Sequence, residues 1–334
     1  MLAHVINQTP FPHFSFEKLG YKDERWQTIV VKVTCDFDPL TGKCDIADEQ
    51  TPLIMADVYR TTPENSSLVH ETNLVSYKPH AEIYIVGTAR TLSNTPVTHW
   101  ETELSIGQIH KKLILSGPRY WEYHRDWSLG EAQPISALPL IYEKAFGGKN
   151  SHQEVNDKNP IGVGWYDSHD MDKTRQYPAP QIYYPLKEHI LSVDKPWEVA
   201  GYGQYNRWWQ QRVQFAGTYN DEWLNNIKPY YPADFNFAFF MSTPVDQQQN
   251  DFFVGNETLS LKGFFAQINL TELILPSIGF VVIPQLVPEK LTNGLLKLDT
   301  VCVSLDEQKL YLTWRYRQRL SAKENTLQLY AYKL

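Results

Sequence analysis

The residues best suited to chemistry are carboxylates and histidines scattered through the first three quarters of the chain. Glu143 follows Tyr142, and Asp234 and Asp246 stand in Pro232-Ala233-Asp234 and Pro244-Val245-Asp246. Acids of this kind could cleave a glycosidic bond if a cleft held their pKa values apart. In a turn beside proline, an Asp needs only to accept backbone N–H bonds. That structural role is the one expected of Asp234 and Asp246. His152 and His169 lie near Asp157, Asp167, Asp170 and Asp172. Their types suit a metal, but the spacing is that of no metal motif, so a solvated polar loop is expected. All ten histidines fall at or before His189.

Patterns of known chemistries do not occur. His70-Glu71 has no second His at the spacing that puts two zinc ligands on one helix face. Gly201-Tyr202-Gly203 is too short for a dinucleotide fingerprint. Neither a phosphate-binding glycine loop nor a G-x-S-x-G elbow is present. The sequence predicts no catalytic residue, no cofactor and no metal.

What stands out instead is an aromatic and proline-rich block. It opens at Arg207-Trp208-Trp209-Gln210-Gln211-Arg212 and continues through Gly217, Trp223, Tyr230 and Tyr231 to Asp246. Aromatic and Arg side chains dominate binding hot spots. Arg207, Trp208, Trp209, Arg212, Trp223, Tyr230 and Tyr231 are therefore the candidate partner-binding residues. Arg207 and Arg212 are expected to pair with Glu222, Asp234 or Asp246, and Gly217 to let the chain pass beneath an indole. The same aromatics could serve as a platform for sugars, or as core.

The elements that must hold this block read as strands. Thr28 to Phe37 is rich in Val, Ile and Thr and stops at Asp38-Pro39. Thr98 to Ile106 alternates strictly, with Trp100, Thr102, Leu104 and Ile106 on one face. Ala81 to Thr88, Lys112 to Ser116 and Tyr120 to Trp127 are further candidates. Near the end, Val301, Val303 and Leu305 precede an Asp306-Glu307 turn. Leu310, Leu312, Trp314 and Tyr316 then alternate with Lys309, Thr313, Arg315 and Arg317, which predicts an antiparallel hairpin. Between Pro139 and Pro244 prolines are frequent and alternation is rare. One short helix is expected from Asn220 until Pro229, with Asn220 as its cap. The fold class predicted is mainly β: antiparallel sheets, sandwich or barrel-like, with long Pro/Gly-rich loops and a few short helices. Residues 1–334 form one unit, with possible subdivision at 1–138, 139–260 and 261–334.

Composition narrows the function classes. Hydrophobic residues make up 42% and aromatic residues 13% of 334 positions, so a sizeable core is expected. A net charge of −7 speaks against a dedicated nucleic-acid binder. Cys35, Cys44 and Cys302 form no CxxC pair and are expected to be reduced, although Cys35 and Cys44 could sit across a hairpin. The N-terminus shows no signal peptide, and the densest apolar stretch, Leu270 to Pro288, is broken by Glu272, Pro276 and Pro284. A cytoplasmic protein without membrane insertion is expected.

Several segments, in order, resemble one family. They are Tyr77-Lys78-Pro79, Ile83 to Gly87, and Tyr142-Glu143-Lys144-Ala145-Phe146-Gly147-Gly148. Asn159-Pro160-Ile161-Gly162-Val163-Gly164, Arg207 to Arg212 and Ala216 to Trp223 follow. Pro232 to Asn236, Pro244 to Gln248, Gly255-Asn256-Glu257 and Leu261-Lys262-Gly263 complete the series. The pattern, from about Val30 to Arg317, is similar to the domain of unknown function 2169 family. Asn220 and Asn236 stand where that pattern has Asp. The resemblance implies a non-catalytic adaptor or chaperone of bacterial type VI secretion. Its partners would be a cognate toxic effector and a component of the spike. A carbohydrate or peptidoglycan binder or hydrolase using the Trp/Tyr platform with Glu143 or Asp234, and an immunity protein, are the rival expectations. Gly147, Gly148, Gly162 and Gly164 are expected to need positive φ or close approach. Tyr142, Glu143, Phe146, Asn159, Pro160, Gly217, Asp234 and Asp246 complete the expected scaffold.

Overall fold

A computed structural model describes residues 3–22, 24–185, 192–284, 294–320 and 326–333. His189 and the end of the Leu270 to Pro288 stretch lie outside the described residues. The protein is mainly β, built from several sheets, none of which closes into a barrel.

The largest sheet has seven strands. Gln248–Gln249, Ala81–Val86, Lys297–Ser304, Lys309–Arg319, Arg25–Phe37 and His13–Leu19 follow one another, and Cys44–Ile46 also pairs with Arg25–Phe37. The predicted hairpin is present as Lys297–Ser304 and Lys309–Arg319, with Leu312 opposite Val301. Its second strand then pairs along its whole length with Arg25–Phe37, Leu312 facing Val33. One pairing in this sheet is parallel, Lys297–Ser304 with Ala81–Val86. The expected strand over Ala81 to Thr88 is split at Gly87, whose φ of +112° only glycine adopts at low cost. Tyr120 to Trp127 is likewise two strands, Tyr120–Tyr123 and Trp127–Leu129, paired as a hairpin.

A five-stranded sheet runs Ile182–Tyr183, Ile109–Ser116, His99–Ile106, Thr258–Lys262 and Leu270–Ile274. In His99–Ile106 the alternation holds: Thr102, Leu104 and Ile106 are buried while His99 and Glu101 are exposed. A four-stranded sheet adds His4–Asn7, Thr326–Lys333, Ile278–Pro284 and Gly294–Leu295.

One apolar core runs from Ala3 to Leu329 and takes in the inner faces of these sheets. Ile29, Val31, Val33, Ile83, Ile85, Leu310 and Leu312 are fully buried there. Each such side chain contributes about 1.5–3 kcal/mol of hydrophobic stabilisation.

The opposite face of the seven-stranded sheet is also buried, and it is polar. Thr28, Lys32, Thr34, Thr313 and Arg315 line it. The segment 47–78 covers them as a strap. Thr28 Oγ1 donates to the Ser76 carbonyl at 2.8 Å, and Lys32 Nζ to the Pro52 carbonyl at 3.0 Å. Arg315 donates to the carbonyls of Val75 and Asn73, both at 3.1 Å, and pairs with buried Asp299. Sequence alternation assigns Arg315 to the far face but not the strap over it. Buried groups of this kind must be paired, and here they are.

Cys35 and Cys44 do sit on a hairpin, but staggered: Cys35 faces Ile46, and Phe37 faces Cys44. All three cysteines are free thiols.

Candidate functional site

Among the described residues, the stretch 139–244 supplies only two- to five-residue elements, so its shape depends on side-chain tethers. Phe146–Gly147 pairs in parallel with Val163–Gly164. Asn159 joins the two motifs: its amide Nδ2 donates to the carbonyls of Tyr142 and Phe146, each at 2.9 Å. The Gly148 N–H donates to the Asn159 carbonyl at 2.8 Å. Gly147, Gly148 and Gly164 have positive φ, as expected. A Cβ on Gly148 would stand 2.3 Å from the Gly162 carbonyl oxygen, so close approach adds to the conformational demand. Gly162 has no positive φ and is selected by close approach alone, to the Asn159 side chain. Pro160 follows Asn159 at the half-buried end of this junction.

Tyr142 lies flat against Gly201 and donates its hydroxyl to the Gly203 carbonyl at 2.9 Å. Its ring also meets Trp209 and Tyr205, with centroids 5.2 and 5.3 Å away. Trp209 is 0% exposed and belongs to the core, not to a docking face. Trp208, its neighbour, is 45% exposed and stacks on Tyr59 at 5.8 Å. Trp223 meets Tyr219 and donates its indole N–H to the Tyr230 carbonyl at 2.9 Å. Tyr231 stacks on Phe235 at 4.2 Å. The predicted aromatics thus fall into separate clusters.

The expected arginine partners are corrected. Arg212, 1% exposed, pairs with Glu71 at 2.6 Å. It also donates to the carbonyls of Phe239 and Tyr205, each at 3.0 Å. Arg207 pairs with Asp57 at 3.1 Å and Glu71 at 3.2 Å. Neither has Glu222, Asp234 or Asp246 as its salt-bridge partner. The arginines tie the block to the strap, where Glu71 and Asp57 lie. Gly217 meets no indole; a Cβ there would meet Asp234, Phe235 and Pro232. The helix expected from Asn220 is a wide π turn, Trp223–Ile227. Asn220 Oδ1 does accept the Trp223 N–H at 3.0 Å, and Asn236 Oδ1 accepts the Ala238 N–H at 2.8 Å. At both positions the amide oxygen does the capping that a carboxylate would do.

The candidate acids are dispersed. Glu143 accepts the Ser67 N–H at 2.8 Å and bonds its hydroxyl. Asp234 accepts the Thr218 N–H at 2.9 Å and hydroxyl at 2.7 Å, as a turn residue does. Those bonds, the backbone one first, hold its pKa below the usual carboxylate range. Asp246 departs from the turn role. It takes Lys111 Nζ at 2.8 Å and the Tyr184 hydroxyl at 2.9 Å. His152 pairs with Asp170 and His169 with Asp167, all on the surface. Among the described residues no three His, Cys, Asp or Glu side chains are placed to share a metal.

Asp246 lines an open pocket of about 860 Å³. That volume lies within the range of ligand sites. The short turn Gln210–Val213 builds one wall, because Trp209 and Arg212 anchor it inward while Gln210, Gln211 and Gln214 face the pocket. Tyr184, Tyr205 and Phe215 add aromatic surface, and Glu198 and Lys158 add charge. Gln247 fixes the Asp246 turn by donating to the carbonyls of Ile83 and Tyr202. Sequence reading missed this site, since its walls come from segments far apart in the chain.

Lys111 is fully buried behind Asp246, and burial pushes its pKa down to about 8, against the opposing pull of Asp246. Between pH 8 and 9.5 the unfolded chain keeps this proton while the folded chain releases it. Stability from this group therefore rises with pH in that window, by on the order of 1–2 kcal/mol. Lys111→Met is expected to flatten that slope in urea unfolding measured at both pH values. Parallel slopes for the two proteins would contradict it.

The model of a family described as uncharacterized protein conserved in bacteria (DUF2169) matches residues 22–315. No curated protein and no solved structure matches the chain.

Proposed function

The chain belongs to the DUF2169 family, and from that premise we propose that it is a non-catalytic adaptor of bacterial type VI secretion. It holds a cognate toxic effector and helps load it onto the spike, acting in the cytoplasm before export. One observation carries the reading. The two acids that the rival hydrolase reading names are committed to the framework, Glu143 to Ser67 and Asp234 to Thr218. The same framework holds open a wide pocket walled by amides and aromatic rings. A preformed cavity on a rigid scaffold limits the ordering cost of binding another chain. Among the described residues no helix is long and apolar enough to cross a membrane.

The test is deletion of the gene, followed by assay of export of the toxin encoded beside it, with co-purification of the two proteins. Export is expected to fail and the pair to co-purify. Normal export from the deletion strain would sink the proposal. Protection of cells from the active toxin, without any effect on its export, would mark an immunity protein instead.

A further inference from the structure

The pocket has a chemical polarity that follows from where its amides are tied. Gln211 Nε2 donates to the Lys158 carbonyl at 2.8 Å, Gln214 Nε2 to the Gln211 carbonyl at 3.1 Å, and Gln248 Nε2 to the Thr243 carbonyl at 2.7 Å. A backbone carbonyl only accepts, so each amide must present its nitrogen there. The three oxygens are left over, and none accepts a hydrogen bond from a described residue. Gln211 Oε1 is itself enclosed without a partner, so the oxygens open to the pocket are those of Gln214 and Gln248.

Glu198 adds an exposed carboxylate with no hydrogen bond or ion pair among the described residues. Asp246 presents a second, backed by Lys111. The wall therefore offers amide oxygens and two carboxylates, beside the second N–H of each amide and the basic groups Lys158 and His80. Tyr184, Tyr205 and Phe215 place flat rings in the same space. A planar group with several N–H donors, no acceptor and a positive charge matches both features. Guanidinium is that group; it bonds through its edge and stacks through its face.

We propose that this pocket receives an arginine side chain presented by an extended peptide segment. The proposal rests on the adaptor reading for the source of that segment, the bound effector, and the test separates the two. The full chain is titrated against fluorescein-labelled Gly-Ala-Arg-Ala-Gly amide and followed by anisotropy. The same peptide with citrulline, which keeps the shape and loses the charge, is the comparison. The arginine peptide is expected to bind at least tenfold more tightly. Glu198→Lys is expected to weaken it at least tenfold. Glu64→Lys, an equal charge change at an exposed site outside the pocket, is expected to leave it unchanged.

Equal affinity for the two peptides, absence of binding to either, or equal effects of the two charge reversals would overturn the assignment. So would displacement of the peptide by a peptidoglycan fragment that binds more tightly. Co-purification of the toxin with the wild-type chain is measured in parallel. An intact toxin complex beside a failed peptide titration removes the pocket assignment alone; a missing complex beside a successful titration removes the adaptor reading.

Discussion

Arg212→Ala is expected to lower the stability of the folded chain by about 3–5 kcal/mol, the cost of breaking a buried ion pair from one side. The guanidinium is almost wholly enclosed and holds Glu71, Tyr205 and Phe239 at once. Its removal leaves the buried Glu71 carboxylate with only the half-buried Arg207, which it shares with Asp57, and leaves two carbonyls without donors. Arg212→Lys is expected to recover only part of the loss, because an ammonium cannot reproduce a planar fork with three separate targets. Arg175→Ala, which removes the exposed pair with Asp172, provides the contrast and should move stability by less than about 1 kcal/mol. Urea midpoints for the three variants decide the matter. A midpoint for Arg212→Ala equal to that of Arg175→Ala would show that the strap and the aromatic block are held by something else.

The second large effect separates two adjacent tryptophans. Trp209→Ala empties a fully enclosed site between Tyr142 and Tyr205 and should cost about 3–5 kcal/mol. Trp208→Ala removes a half-exposed ring stacked on Tyr59 and should cost about 1 kcal/mol or less. Thermal unfolding reads the difference directly. If Trp208 touches the effector, its alanine variant stays folded and loses co-purification, an outcome unavailable to Trp209. Equal destabilisation by both would mean that the two indoles share one packing environment, contrary to their exposure.

How far the sequence could be read depended on the range of the forces involved. Arg25–Phe37, His99–Ile106 and the hairpin around Leu312 were legible because alternation reports which residues share a face. Alternation does not report what covers that face, and so Arg315 carried no hint of the strap above it. Asp234 and Asp246 make the limit plain, since both stand two residues after a proline. Asp234 behaves as a local turn residue, with Thr218 as its partner. Asp246 instead meets Lys111, 135 residues away. Arg212 meets Glu71 across 141 residues. The glycines of 147–148 were legible because their requirement is local backbone geometry. The pocket was not, because its walls come together only through distant contacts such as that of Gln211 with the Lys158 carbonyl, 53 residues away.

The pairing of Arg25–Phe37 with Lys309–Arg319 also sets a timetable. About 270 residues separate Phe37 from Lys309, its partner region in the sheet. At roughly 5–20 residues per second, an emerging chain waits about 14–54 s between making the first strand and making its mate. During that interval a long strand rich in Val and Ile has its central neighbour missing, the condition under which strand edges aggregate. The nascent chain thus depends on other factors in the cell, or on its own hairpin with His13–Leu19, to stay soluble until synthesis is nearly finished.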